Sequence, residues 1–267
     1  MSTMTLAEAR PVTRRSAPAP IPFSRVVAVE ARKTFDTRSG FWLLTSIGIT
    51  ATLATVAVLL WAPDSELTYD TFAAAIGFPM AVILPMVAIL AVTSEWSQRS
   101  GLTTFTLVPH RGRVLGAKFI AAVGVGVVAM FVALIVGALG TLVGSLATGL
   151  DPVWNVTATE FALIVLGSVL GMLFGFMLGV LIRNSAGAIV AYFVYSLVLP
   201  PLVELLAANA SWFADVRPWI DYANARNMLF NGTMSGEQWQ QLAVSGTIWF
   251  LLPLAVGLVI VRRSEVK

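Results

Sequence analysis

The chain has 267 residues, of which 57% are hydrophobic and only 12% charged, and its mean hydropathy is +0.83. A soluble domain carries about 25% charged residues, so a water-soluble fold is excluded and most of the surface must face lipid. Cysteine is absent, which excludes a disulfide framework, a thiolate metal site and a cysteine nucleophile.

Residues 1–22 are rich in Pro, Ala and Arg, with no apolar run behind the basic residues. They predict a disordered tail and not a signal peptide. Residues 23–40 then place Phe23, Val26, Val27, Thr34 and Phe35 near one helical face, with Arg25, Arg32, Lys33 and Arg38 mainly elsewhere. That pattern predicts an amphipathic helix lying in the plane of the membrane surface.

Residues 41–267 read as a six-span domain. A span needs roughly 20 mostly apolar residues, and such windows fall at 41–62, 72–93, 119–147, 160–182, 186–206 and 241–261. Pro79 and Pro85 lie in the second and Pro200 and Pro201 in the fifth. Bends are expected there, because neighbouring helices can satisfy the freed carbonyls. With the N-terminus in the cytoplasm, fifteen of the seventeen basic residues fall inside and only Arg217 and Arg226 outside. Asp64, Glu66, Asp70, Asp151 and Glu160 fall on outer loops. This asymmetry predicts cytoplasmic termini. Fourteen of the basic residues are Arg; with the abundant Ala, Val and Gly, this points to a GC-rich bacterial genome and so to a bacterial cell membrane.

The one large inner loop, 94–118, interrupts two very apolar stretches. Ser94 can cap a short helix beginning at Glu95, Leu102 and Phe105 fall one turn apart on one face, and Pro109 stops it. Arg111, Arg113 and Lys118 follow as the chain re-enters the membrane. A short amphipathic helix of this kind can rest on anionic lipid or fit a groove on a partner protein. His110, the only histidine, reads as a solvated residue of this loop. At the far side, residues 207–240 form the long outer loop, with Trp212, Trp219 and Trp239 suited to the membrane interface.

The order of these features resembles the permease subunits of type-2 ABC transporters, the ABC-2 type exporters. The resemblance rests chiefly on Glu95…Arg99-Ser100-Gly101…Pro109-His110-Arg111-Gly112-Arg113…Lys118, placed between the second and third spans. Pro218-Trp219, Asn224 and Gly232 of the outer loop add a second, looser match. The resemblance implies an all-α membrane protein of six transmembrane helices. An in-plane N-terminal helix, a cytoplasmic coupling helix and a partly helical outer loop between spans five and six complete it. It further implies a path formed with a second permease copy, like or unlike, chiefly through the first, second and fifth spans, and export as the direction. ATP and Mg would be handled by a separate ATPase subunit docking on the coupling helix, with Glu95, Arg99, Leu102, Phe105 and Arg111 as contacts. Apart from that ATPase and the second permease, membrane lipid is an expected partner and nucleic acid is not.

The residues agree that this chain is not itself an ATPase. A P-loop needs glycines before its Lys and Ser or Thr; only Lys33 is followed by Thr, and Arg32 precedes it. No catalytic site, cofactor site or metal site is expected on the chain. Gly167, Gly171, Gly175 and Gly179 recur every fourth residue, and Gly140 and Gly144 repeat the spacing; this predicts close helix packing. Glu204, near the outer end of the fifth span, is a candidate for gating or substrate contact. Two other readings stand beside the permease: an ion-coupled secondary carrier, which usually needs carboxylates at mid-depth, and a structural or assembly protein without a path.

Overall fold

The computed structural model describes residues 21–97 and 111–263. Eleven helices account for most of them: α1 Phe23–Asp36, α2 Arg38–Trp61, α3 Tyr69–Ser97, α4 Arg111–Thr148, α5 Ala158–Ile182, α6 Ser185–Phe193, α7 Leu199–Asn209, α8 Ser211–Ile220, α9 Tyr222–Asn227, α10 Gly236–Gly246 and α11 Leu252–Arg263. Short π-helical stretches, Val194–Val198 and Thr247–Leu251, join α6 to α7 and α10 to α11. No strand occurs among the described residues beyond an isolated bridge between Thr68 and Val153.

Six helical stretches are long and apolar enough to cross a membrane: Gly40–Trp61, Tyr69–Ser94, Gly112–Thr148, Ala158–Ile182, Ser185–Asn209 and Gly236–Val261. The chain is a multi-pass membrane protein, as its composition requires. For description, the end of the bundle holding α1 and the close of α11 is the near end, and the opposite is the far end. Thr93 Oγ1 lies 2.7 Å from Ser185 Oγ at the near end. At the far end, Tyr69 N–H donates to Val153 O at 3.0 Å and Asp70 N–H to Asn155 Oδ1 at 2.9 Å.

The helix limits differ from the sequence reading in two informative places. The loop expected at 94–118 is shorter: α3 continues to Ser97 and α4 already begins at Arg111. Residues 111–118 therefore belong to a helix of 38 residues, roughly 57 Å long and well beyond the apolar thickness of a bilayer. A hydropathy window stops at the first charges, whereas the helix continues because α1 packs against this extension. The second difference is the join between α1 and α2. Helix α1 ends at Asp36, and Thr37 turns the chain while its side chain accepts from Gly40 N–H at 3.2 Å, capping α2.

Helix α5 lies at the centre. Its second half, including Met172, Phe174, Phe176, Met177 and Val180, is buried. It runs parallel to α3 at close range: a Cβ added to Gly175 would sit 2.8 Å from Pro85 O, and one added to Gly179 3.4 Å from Ile89 O. In lipid no hydrophobic force drives apolar helices together, so backbone proximity at small residues supplies the packing. Glu160 and Thr157 form a capping box at the far-end start of α5, and Ser235 with Gln238 does the same for α10. Arg183, in the left-handed region at φ 56°, ends α5, and Asn184 caps α6.

Pro200 and Pro201 open α7 directly after the first π stretch, and Pro253 lies just after the second. A proline ring clashes with the carbonyl one turn before it. The wider π turn makes room for the ring, so both spans accommodate proline and continue.

The segment between the fifth and sixth spans is not a loop on the surface. Its helix α9 and a 3-10 turn, Met228–Asn231, fold back against α5, while α8 packs on α10 and α7. Leu229 is fully buried there, and a Cβ on Gly167 would meet the Phe230 ring at 2.9 Å. Trp249 Nε1 donates to Ile220 O at 2.7 Å, holding the close of α8 to the sixth span.

Candidate functional site

Two charged clusters lie inside the bundle. The first is at the near end. Helix α1 turns Val26 and Glu30 inward, while Phe35 of its predicted apolar face is exposed. Glu30 Oε2 pairs with Lys118 Nζ of α4 at 2.6 Å, and its Oε1 pairs with Lys33 Nζ at 2.6 Å. Lys118 Nζ also donates to Ala91 O of α3 at 3.0 Å. Glu30 and Lys118 are only 5% and 4% exposed, so this is a buried pair whose members each need the other. Arg113 Nη2 adds a 2.6 Å bond to Ile21 O, and a Cβ added to Gly116 would stand 3.8 Å from the Phe23 ring. One point thus ties α1 to the last turns of α3 and the first turns of α4, the two helices that flank residues 98–110.

Of the residues expected to dock an ATPase, Glu95 falls in the last turn of α3 and Arg111 at the first position of α4. Arg99, Leu102 and Phe105, with His110, lie outside the described residues.

The second cluster centres on Arg226 of α9. The sequence count places Arg226 outside the membrane; the structure instead lays its guanidinium against Gly171, with Cζ 3.3 Å from where a Cβ would stand. Gly171 lies thirteen residues beyond Ala158, one past the midpoint of α5; at 1.5 Å per residue that is roughly 20 Å from the far-end start of the helix. The guanidinium therefore sits near mid-depth. Three of the four tyrosines converge around it. Tyr192 is close to the guanidinium, and its hydroxyl donates to Ala81 O at 2.6 Å. The Tyr195 ring stacks on Phe174 with centroids 3.9 Å apart, and Tyr222 lies on the same Phe174 at 5.7 Å. Burial pushes the Tyr222 hydroxyl up to about 12, with the Arg226 charge pulling the other way.

This cluster is under-satisfied. Arg226 Nη2 donates to Asn227 Oδ1 at 3.1 Å, but its buried Nε has no hydrogen-bond partner, nor do the buried hydroxyls of Tyr195 and Tyr222. Asp221, at the start of the same helix, is engaged elsewhere: it caps α9 through Asn224 N–H at 3.0 Å and pairs with Arg217 at 3.2 Å. Beside Arg226 opens a cavity of about 310 Å³ between α3 and α5. Its walls are small residues such as Ala74, Gly77, Ser168 and Gly171, with Asp70 at the far-end mouth.

The remaining sequence candidates separate. Gly167 and Gly171 face the folded-back segment, Gly175 and Gly179 face α3, and Gly140 and Gly144 face the Thr55, Leu59, Leu67 and Phe72 side chains. Every one is a close approach within this chain. Glu204 is 69% exposed and pairs with Arg217 at 2.6 Å, away from the cavity lining. That hydrogen bond, above all, raises the Arg217 pKa further from neutrality. Sequence reasoning missed the Arg226 cluster because span counting treats a hydrophilic connection as exterior. The available signal was spacing: Tyr192 and Tyr195 share a helical face, and Tyr222 stands four residues before Arg226.

No protein-family model matches this chain, and no curated protein matches it.

Proposed function

We propose that this chain is the membrane-spanning permease subunit of an ATP-driven exporter of the ABC-2 type, lining a path with a second permease copy. Hydrolysis of ATP belongs to a separate ATPase subunit at the near end, which faces the cytoplasm of a bacterial cell. The observation that carries this reading is the Glu30–Lys118–Ala91 tie. A push delivered to residues 98–110 reaches α3 and α4 together, and the buried ion pair carries α1 with them. In this reading α1 lies along the inner leaflet, with exposed Phe23, Val29 and Phe35 available to lipid.

An ion-coupled carrier is less well supported. Coupling to protons or sodium usually employs a mid-depth carboxylate. The carboxylates of the six spans, Asp70, Glu160, Glu204 and Glu237, all lie within six residues of a span end. The charge at mid-depth is Arg226, whose side chain offers donors only and no oxygen to take up a sodium ion or a proton.

The reading is tested by co-expressing the chain with an ATP-binding cassette subunit encoded beside it. The pair should co-purify, the chain alone should hydrolyse no ATP, and transport should need both. Phe105→Asp should insert normally yet co-purify poorly and abolish transport, because a charge entering an apolar groove is desolvated without a partner. Normal pairing and transport by Phe105→Asp would leave the 98–110 segment without a docking role. Sidedness is checked on the cysteine-free background: cysteines at Ser65 and Asn155 should label from outside, and those at Arg99 and Ser264 only after permeabilisation.

A further inference from the structure

We infer that the cavity between α3 and α5 binds an amphiphile with a single anionic group, which it holds on Arg226 at mid-depth. This goes beyond the transport reading and stands without it, since it concerns the chain alone.

Three features carry the inference. First, Arg226 is a cation drawn deep into the apolar part of the molecule with no carboxylate pairing it among the described residues, and with its Nε unsatisfied. Intramembrane cations persist where something pairs with them. Asn227 supplies one neutral acceptor and Tyr192 a hydroxyl nearby, while Asp221 is held by Arg217 and by the α9 cap. An anionic oxygen reaching the guanidinium would complete the site, and the unpartnered hydroxyls of Tyr195 and Tyr222 stand in the same cluster.

Second, the space beside Arg226 is built and not a packing accident at one residue. Small side chains on two adjacent helices face each other along it, and a Cβ on Gly77 would meet nothing within 4 Å. The glycines lower on α5 behave oppositely, since Gly175 and Gly179 are pressed on α3. At about 310 Å³ the cavity reaches the lower range of small-molecule sites.

Third, the shape selects an amphiphile over a free anion. The lining runs from Asp70 to Pro85 on α3, fifteen residues apart and so roughly 22 Å. Most of that length is Ala, Gly and Ile, suited to an alkyl chain. The far-end mouth carries the exposed carboxylate of Asp70, which repels an anion arriving from water. The cavity also opens sideways, where Ala74 and Ala81 are exposed among apolar residues, a route by which a ligand enters without passing Asp70. One negative charge is the complement of one guanidinium, and no second Arg or Lys lines the cavity among the described residues.

The test uses the purified full chain in nanodiscs of neutral lipid, with empty discs subtracted. The probe is radiolabelled tetradecyl sulfate, which carries one negative charge; the competitors are inorganic sulfate and tetradecyltrimethylammonium. Wild type should bind the probe saturably, with neither competitor displacing it. Arg226→Gln should bind about tenfold or more weakly, the loss of one charge-assisted contact. Should Arg226→Gln fail to fold, Gly77→Leu carries the test: its side chain enters open space, so it should fold as wild type and lose binding by a similar factor. Gly124→Leu, at a position where an added Cβ also meets nothing within 4 Å but which lies off the cavity, should bind normally. Non-saturable uptake by folded wild type, or undiminished binding by both Arg226→Gln and Gly77→Leu, overturns the site. Displacement by inorganic sulfate alone overturns the amphiphile and leaves a free-anion site.

Discussion

The Glu30–Lys118 pair and the Arg226 cluster are both charges withdrawn from water, and they are built on opposite terms. At the near end each charge has a counter-charge at 2.6 Å, and the lysine also reaches a carbonyl. At mid-depth the Arg226 Nε and two tyrosine hydroxyls are buried without partners, and a cavity lies alongside. A satisfied cluster is finished by the fold and serves to hold helices together. An unsatisfied one beside open space is finished by something else. The difference is a physical criterion for separating structural charge from charge kept for a ligand.

Breaking the finished cluster should have the largest effect. Lys118→Met leaves Glu30 buried without its main partner and should cost about 3–5 kcal/mol, read as a large fall in thermal unfolding temperature or loss of folded protein. Glu30→Leu together with Lys118→Met should recover most of that loss, since neither charge then remains. A double variant as unstable as the single one would mean that the pair does not act as a unit.

Packing comes next. Gly175→Leu drives a side chain against the Pro85 backbone and should destabilise by about 1–3 kcal/mol or block assembly, whereas Gly124→Leu should be silent by the same unfolding measurement. Unchanged stability and oligomer distribution for Gly175→Leu would mean that α3 and α5 are not pressed together there.

Arg226→Gln should change thermal stability by less than about 1 kcal/mol, because no partner carboxylate is orphaned when the charge goes. This is the sharpest contrast with Lys118: two cations inside the bundle, with opposite consequences when the charge is removed. A collapse of Arg226→Gln as severe as that of Lys118→Met would erase the distinction. The smallest effect belongs to Glu204→Gln. Its partner Arg217 also holds Asp221, and Glu204 is 69% exposed, so unfolding should shift by less than about 1 kcal/mol.

The comparison also explains what could be read in advance. The six spans were legible because hydropathy over 20 residues is a property of the chain alone. The prolines at 79, 85, 200 and 201 announced themselves, though not the π turns that accommodate two of them. The length of α4 was not legible, because Arg111, Arg113 and Lys118 look like a boundary until Glu30 supplies a partner from 88 residues away. Arg226 was hidden for the mirror reason. A segment containing Asp215, Arg217, Asp221, Asn224 and Arg226 looks like exterior loop, and only the glycine spacing of α5 makes a surface that it can fold back upon. Both clusters are made of pairs distant in sequence, which no local pattern encodes.

The π stretch at Val194–Val198 has a geometric consequence for the whole fifth span. A π turn is an α-helix carrying one residue too many, and each residue of an α-helix turns the chain by roughly 100°. The two halves of the span are therefore out of phase. Before the stretch, Ala188 and Tyr192 point into the molecule; after it, Leu202, Leu205 and Leu206 are exposed, and α7 contributes no buried residue. A single surplus residue thus acts as a rotary joint that gives one span two facing directions. Half of it belongs to this chain's interior, and half is turned toward whatever lies beside it.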